Sequence, residues 1–483
     1  METQAACVWQ GQPDVTAEST EAVADGPQTV AQSIREVMRI ALPLMISTGT
    51  FSLVLFADRT LLLYFGDGTH MSASMAAGNL YWTLVCFPIG LASMTGAIVA
   101  QYVGSGRERE VGRFLWQSVW LALASIPLFA FIAVITPWLF RFSGQVDELV
   151  PLETTYMRIL LLGAVGSVIE TGLSGFFSGT QRTRVIMWAS IATGLLNVVL
   201  DVWFIFGGFG LPAMGIAGAA WASVIAFWFK AVIFAVLLLR PTFEQRYAIR
   251  GGFGFDTAML KNLLYFGVPA GLQYLTEAGG FTVIILQIGQ LGDIPLRATT
   301  MAINFNMIAF IPLIGVAIAV SVLVGHHLTD SGPRGAILAT RAALVIGWVY
   351  SIAWALLYFL APSMLLSLYA VGSPGAETAE AIALARHLLI FVGFYVLFDA
   401  TQLILAGALR GAGDTWFVLL AAVVVSLGAV AVGGLGETFA TQRLGISLLH
   451  WWWGMITVWV WSLAVVMVFR YRQGRWKNMR MVQ

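Results

Sequence analysis

Apolar runs long enough to cross a membrane recur twelve times along the chain, each followed by a short polar stretch. A hydrocarbon core about 30 Å thick needs about 20 residues of helix, and within lipid only a helix or a closed barrel satisfies its own backbone hydrogen bonds. The pattern predicts helices over 36–65, 73–102, 112–140, 155–178, 185–206, 215–239, 259–291, 297–327, 337–360, 378–409, 415–434 and 447–469. Of the 483 residues 59% are hydrophobic and 11% charged, which excludes a soluble multidomain protein, since such a chain could not bury that much apolar surface. The expected fold class is an all-α integral membrane protein with twelve transmembrane helices.

Lysine and arginine set the orientation. With the N-terminus inside, nineteen of the 26 fall on the inner side, among them Arg107, Arg109, Arg113, Arg240, Arg246, Arg250 and Lys261. Only Arg141, Arg297 and Arg443 fall on the outer side. Both termini are therefore expected in the cytoplasm, on a multi-pass protein of the inner (plasma) membrane. Residues 1–33 carry five acids and no lysine or arginine. They lack the positive n-region of a signal peptide and read as a disordered cytoplasmic tail. Residues 471–483 read as a basic cytoplasmic tail. A net charge of +1 offers no bulk attraction for nucleic acid. Cys7 and Cys86 lie too far apart to suggest a disulfide framework, and the five histidines sit at span ends or loops, so no metal cluster is expected.

The two halves repeat. Pro43 and Pro269, and Asp67 and Asp293, are 226 residues apart; Asn79 and Asn304, and Gly90 and Gly315, are 225 apart. Gly179 and Gly411, with Thr183 and Thr415, follow at 232. Six spans per half, an even number, place both copies the same way up, as a parallel repeat about an axis along the membrane normal. The expected organisation is a first lobe over 34–240, a cytoplasmic connection over 241–258 and a second lobe over 259–470. Two pseudo-symmetric six-helix bundles facing each other leave a central cleft, an arrangement that suits alternating access.

Several stretches carry a resemblance in order and spacing. They are "ALPLMISTG" with "ADRTLLLYFGD", "IVAQYVGSGRERE", and "SGFFSGTQRTRVIMWASIATGLLNVVLDVWFIFGGFGLPAMGIAGAAWASV" in the first half. In the second half come "FGVPAGLQYLTEAG", "INFNMIAFIPLIGVAIAVSVLVGHHL" and "DATQLILAGALRGAGDT". From Arg35 to about Arg470 the chain resembles the multidrug and toxic compound extrusion (MATE) transporters of the bacterial NorM- or DinF-like type. The resemblance implies a V-shaped, monomeric exporter with no cofactor, in which Na+ or H+ moves inward against a small organic, amphipathic and cationic substrate moving outward.

Ionisable groups inside a membrane are costly and default to functional candidates. Five acids qualify: Asp58, Glu170, Asp201, Glu277 and Asp399. Asp58 and Asp201 stand at nearly the same depth, about 10 Å from the outer surface at 1.5 Å per residue, and Asn197 shares the Asp201 face one turn inward. Two acids in a pocket of low dielectric do not both ionise cheaply, so one holds a proton or the pair recruits a hard cation. These positions match the family's first-lobe cation-responsive residues. Glu277, Tyr395 and Asp399 match its second-lobe acidic pair and neighbouring tyrosine, a donor set for a monovalent cation or a proton; no other metal is implied. Arg59 departs from the small or neutral residue expected after the first aspartate; it either folds back onto Asp58 or, the favoured reading, snorkels to the outer interface or pairs in a loop. Glu170 and Lys230 are isolated; they either pair with each other or line the cleft, with a place in a hydrated crevice favoured. Pro43 and Pro269, early in the first span of each half, are candidate hinges.

Competing readings are weaker on the same residues. A lipid-linked saccharide flippase wants a strongly cationic cavity, for which only Lys230 and Arg59 are available. A membrane-embedded enzyme lacks a nucleophile and base pair within the spans, and a passive channel has no use for two lobes with separate ionisable sites. The chain is not expected to be an enzyme.

Overall fold

The computed structural model describes residues 29–65, 69–142, 148–208, 210–370 and 376–482. Residues 1–28, which hold most of the expected N-terminal tail, and Asp67 of the repeat lie outside them. Helix α1 (Val30–Phe65) begins within the stretch read as disordered. Thr29 and Gln32 explain the early start, because the Gln32 amide donates to Thr29 Oγ1 at 3.3 Å and the Thr29 amide to Gln32 Oε1 at 3.2 Å. This reciprocal capping box satisfies donors that a helix start leaves free.

Helix α2 (Thr69–Gly104) is the second span. The third is broken into α3 (Glu108–Ala124) and α4 (Ile126–Phe142) at Ser125. Pro127 has no N–H to donate and its ring crowds the carbonyl four residues earlier, while the Ser125 hydroxyl donates to the Ala122 carbonyl at 2.6 Å. Helices α5 (Val150–Gly179), α6 (Thr183–Phe206) and α7 (Ile216–Leu238) complete the first bundle, and the short α8 (Pro241–Tyr247) lies in the connection. The second bundle holds α9 (Thr257–Gly289), α10 (Asp293–Asp330), α11 (Pro333–Leu360), the short α12 (Pro362–Ala370), α13 (Ala376–Ala412), α14 (Thr415–Leu435), the short α15 (Glu437–Gln442) and α16 (Leu448–Gln473). A 3-10 turn, Arg475–Asn478, follows. Eleven of the twelve expected spans each coincide with one helix, to within several residues at each end, and the third with α3 and α4 together. Among the described residues eleven helical stretches are apolar and long enough to cross a membrane. Helix α9, diluted at its centre by Gln273, Thr276 and Glu277, is the twelfth.

The apolar core divides in an informative way. One cluster joins both bundles at the basic end, with Ile40, Leu44, Ile98 and Phe176 from the first and Leu263, Val320, Leu323 and Leu409 from the second. Toward the opposite end each bundle has a core of its own. Leu62, Tyr81, Leu160 and Ile205 belong to the first bundle's core, and Ile284, Phe305, Tyr358 and Trp453 to the second's. The molecule is thus a V, shut at its basic end. Two symmetry-related contacts help to shut it: Gly90 of α2 lies against Gly271 of α9, and Gly315 of α10 lies against Leu44 and Met45 of α1. Met45 and Gly271 are themselves 226 residues apart, so both contacts are one contact made twice.

The connection between the bundles is bound to α3 rather than slack. Trp116 donates to the Ile249 carbonyl at 2.7 Å, Gln117 Nε2 to the Gly254 carbonyl at 2.8 Å, and the Asp256 amide to Gln117 Oε1 at 3.0 Å. Arg246 of α8 grips Glu108 through two bonds of 2.6 Å.

Candidate functional site

Asp58, Asn197 and Asp201 converge where α1 packs along α6, an approach that also brings Ser47 Oγ to 2.6 Å from Ser190 Oγ nearer the basic end. The three side chains are 5%, 1% and 0% exposed. The Asn197 amide, turned so that its nitrogen donates, bridges the acids at 3.2 Å from Asp201 Oδ2 and 3.2 Å from Asp58 Oδ1. The two carboxyls are also within hydrogen-bonding reach of each other. Asp201 Oδ1 is buried and has no hydrogen-bond partner among the described residues. A carboxylate oxygen left open beside a second carboxyl is the donor arrangement that a proton or a hard monovalent cation fits. Tyr156 of α5 lies within the electrostatic reach of both acids. Arg59 is half-buried, and no ion pair joins it to Asp58 among the described residues.

The second set is looser. Glu277 of α9 is half-buried and accepts from Gln273 Nε2 one turn away at 3.0 Å. Asp399 of α13, 5% exposed, accepts from Gln402 Nε2 at 3.3 Å. Asp399 lies within the electrostatic reach of Glu277, and the buried Tyr395 within that of Asp399. Each acid thus keeps a glutamine on its own helix. Gln273 and Gln402 escaped the sequence reading, although spacings of four and three residues from an intramembrane acid were there to be seen.

Glu170 and Lys230 do not rest separately in a crevice: Lys230 Nζ lies 2.9 Å from Glu170 Oε1, linking α5 to α7. One of the two cations available to a diphosphate-binding cavity is thereby neutralised. Arg410 of α13 donates to the Tyr274 hydroxyl of α9 at 3.0 Å, within the field of Glu277. Glu153, which the sequence reading left just outside its fourth span, is fully buried at the start of α5 and neither carboxylate oxygen has a partner among the described residues. Pro43 and Pro269 are buried inside α1 and α9, each next to one of the paired glycine contacts. Among the described residues no cluster of three histidine, cysteine or acidic side chains is arranged to hold a metal ion.

The MatE family model matches residues 43–203 and again 269–434, once in each bundle. The chain is 30% identical to a probable multidrug resistance protein NorM of Xanthomonas campestris pv. campestris, over 92% of this chain and 94% of that one. It is 28% identical to the protein of the same name from Burkholderia mallei, over 94% and 96%. The crystal structure of the eukaryotic MATE transporter AtDTX14 superposes with a TM-score of 0.81 at 19% identity, covering 94% of this chain and 98% of that one.

Proposed function

Since the chain belongs to the MatE family of membrane transporters, which are not enzymes, we propose that it is a multidrug exporter. In this reading it carries amphipathic organic cations out of the cell by antiport against Na+ or H+, with Asp58, Asn197 and Asp201 as the coupling site. The observation that carries this reading is the open, buried Asp201 Oδ1 beside the shared Asp58–Asn197 contacts. A permanently charged pair there is untenable in hydrocarbon, and a permanently satisfied pair would leave no open oxygen. An ion that enters and leaves changes how strongly α1 and α6 hold together. Pro43 gives α1 the missing backbone bond at which it bends. Substrate and ion then oppose each other thermodynamically.

With the basic end in the cytoplasm, the V opens outward, and transport requires a second state open at the basic end. Glu277, Tyr395 and Asp399 sit within the other bundle and tune cation affinity from there. The test is uphill substrate transport in everted vesicles with the proton and sodium gradients imposed independently. Expected is loss of ion-driven transport in Asp58→Asn and in Asp201→Asn, and its persistence in Asp399→Asn. The opposite pattern assigns coupling to the second bundle and overturns the proposal.

A further inference from the structure

The basic-end closure has a node that takes no part in the ion chemistry. Gln101 of α2, fully buried, is held by three separate pieces of the second half. Its Nε2 donates to the Gly411 carbonyl of α13 at 3.0 Å, and its own carbonyl accepts from Thr329 Oγ1 of α10 at 3.2 Å. Its Oε1 accepts the backbone amide of Met481 at 2.7 Å. Met481 belongs to the segment after α16, expected from the sequence to be no more than a basic tail. Instead its side chain is 3% exposed and its carbonyl accepts from Asn262 Nδ2 of α9 at 2.8 Å. The segment is seated from behind by Trp476, 1% exposed, whose ring stacks 4.8 Å from Tyr471 and whose N–H donates to the Tyr471 carbonyl at 2.9 Å.

We propose that residues 474–482 are a strap that holds the V shut at its basic end, with Gln101 the positioning residue on which it seats, and that the strap must leave Gln101 before the cleft can open there. A backbone amide and carbonyl wedged between α2 and α9 cannot keep both partners once those helices part. Opening frees Gln101 from all three contacts in one step, so the closed and open states are separated by a discrete event rather than a gradual slide. The strap therefore sets how much of the population rests closed at the basic end without touching ion or substrate.

This inference rests on the alternating-access reading above, and the experiment keeps the two apart. Spin labels are placed at Ser105→Cys and Asp330→Cys, exposed positions on either side of the seam, in the full chain with Cys7→Ser and Cys86→Ser. Distances are compared with those in Met481→Pro, which removes the donated amide together with the buried side chain, in Gln101→Leu, and in a chain stopped at Gln473. Expected is one dominant short distance in the full chain, and in each variant a long-distance population raised at least about fivefold, the effect of one net hydrogen bond. Arg480→Ala, whose guanidinium bonds only to the Lys477 and Met479 carbonyls, keeps the full-chain distribution. If the shortened chain fails to fold, the two point variants decide. A folded Met481→Pro and Gln101→Leu with unchanged distances overturn the strap alone. A full chain that never shows the long distance, at any pH, sodium level or substrate concentration, overturns alternating access and the strap with it.

Discussion

Gly90 meets Gly271 so closely that a β-carbon on Gly90 would stand 2.7 Å from the Gly271 Cα. The obstacle is backbone, so neither helix can yield by turning a side chain. Gly90→Val is expected to force α2 from α9 and lower stability by about 1–3 kcal/mol, the usual cost of overpacking. Gly315→Val should do the same at the symmetry-related contact, where the β-carbon would come 2.6 Å from the Met45 nitrogen. Thermal unfolding in detergent reads both. Gly78→Ala, on the same helix as Gly90 with nothing within 4 Å, should be neutral or stabilising, and equal losses at all three positions would refute the contact argument.

Asn197 is expected to matter as the bridge between two acids rather than as a charge. In Asn197→Leu the carboxyls lose their shared donor, and the apparent affinity for the coupling ion should fall about 10–100-fold, as when an orienting partner of a bound ion is removed. Titration of ion-driven transport against sodium or proton concentration measures it. Unchanged ion dependence in a well-folded variant removes Asn197 from the site.

The Glu170–Lys230 pair calls for a double-mutant cycle. Both side chains are less than one fifth exposed, so breaking the pair from either side strands a charge. Glu170→Gln and Lys230→Met are each expected to cost about 3 kcal/mol, and the double variant to recover most of it. Additive losses in thermal stability would show that the two residues act independently. A double variant that is stable yet fails to transport would give the pair a role in the cleft as well.

Asp256 caps α9 where the connection enters the second bundle, accepting from the Ala258 and Met259 amides at 2.9 and 3.1 Å. Asp256→Ala should cost about 1 kcal/mol and raise hydrogen exchange across residues 256–260. Gln117→Leu, which removes two of the bonds that tie the connection to α3, should raise exchange across residues 254–256 instead. If Gln117→Leu leaves that exchange unchanged, the Gln117 bonds do not hold the connection and Trp116 and Arg246 carry that contact.

The acids inside the spans were readable because hydrocarbon punishes exceptions. Asp58, Asp201, Glu277 and Asp399 stand out against apolar runs, and helical spacing alone put Asn197 beside Asp201. Gln273 and Gln402 were readable by the same spacing but carry no charge to draw attention. Gln101 was not readable at all: it is a single uncharged polar residue near a span end, and its partners lie 310 and 380 residues away.

The sequence by itself determined twelve helices, their likeness in two halves and the acids within them, because membrane crossing constrains each segment locally through length, polarity and backbone satisfaction. Only the tertiary structure decided that Glu170 holds Lys230, that the V is shut at its basic end, and that the segment after α16 closes under Gln101. Those are contacts between helices far apart in the chain, chosen by packing and by the need to satisfy buried polar groups, and no local pattern encodes which distant partner a side chain will meet.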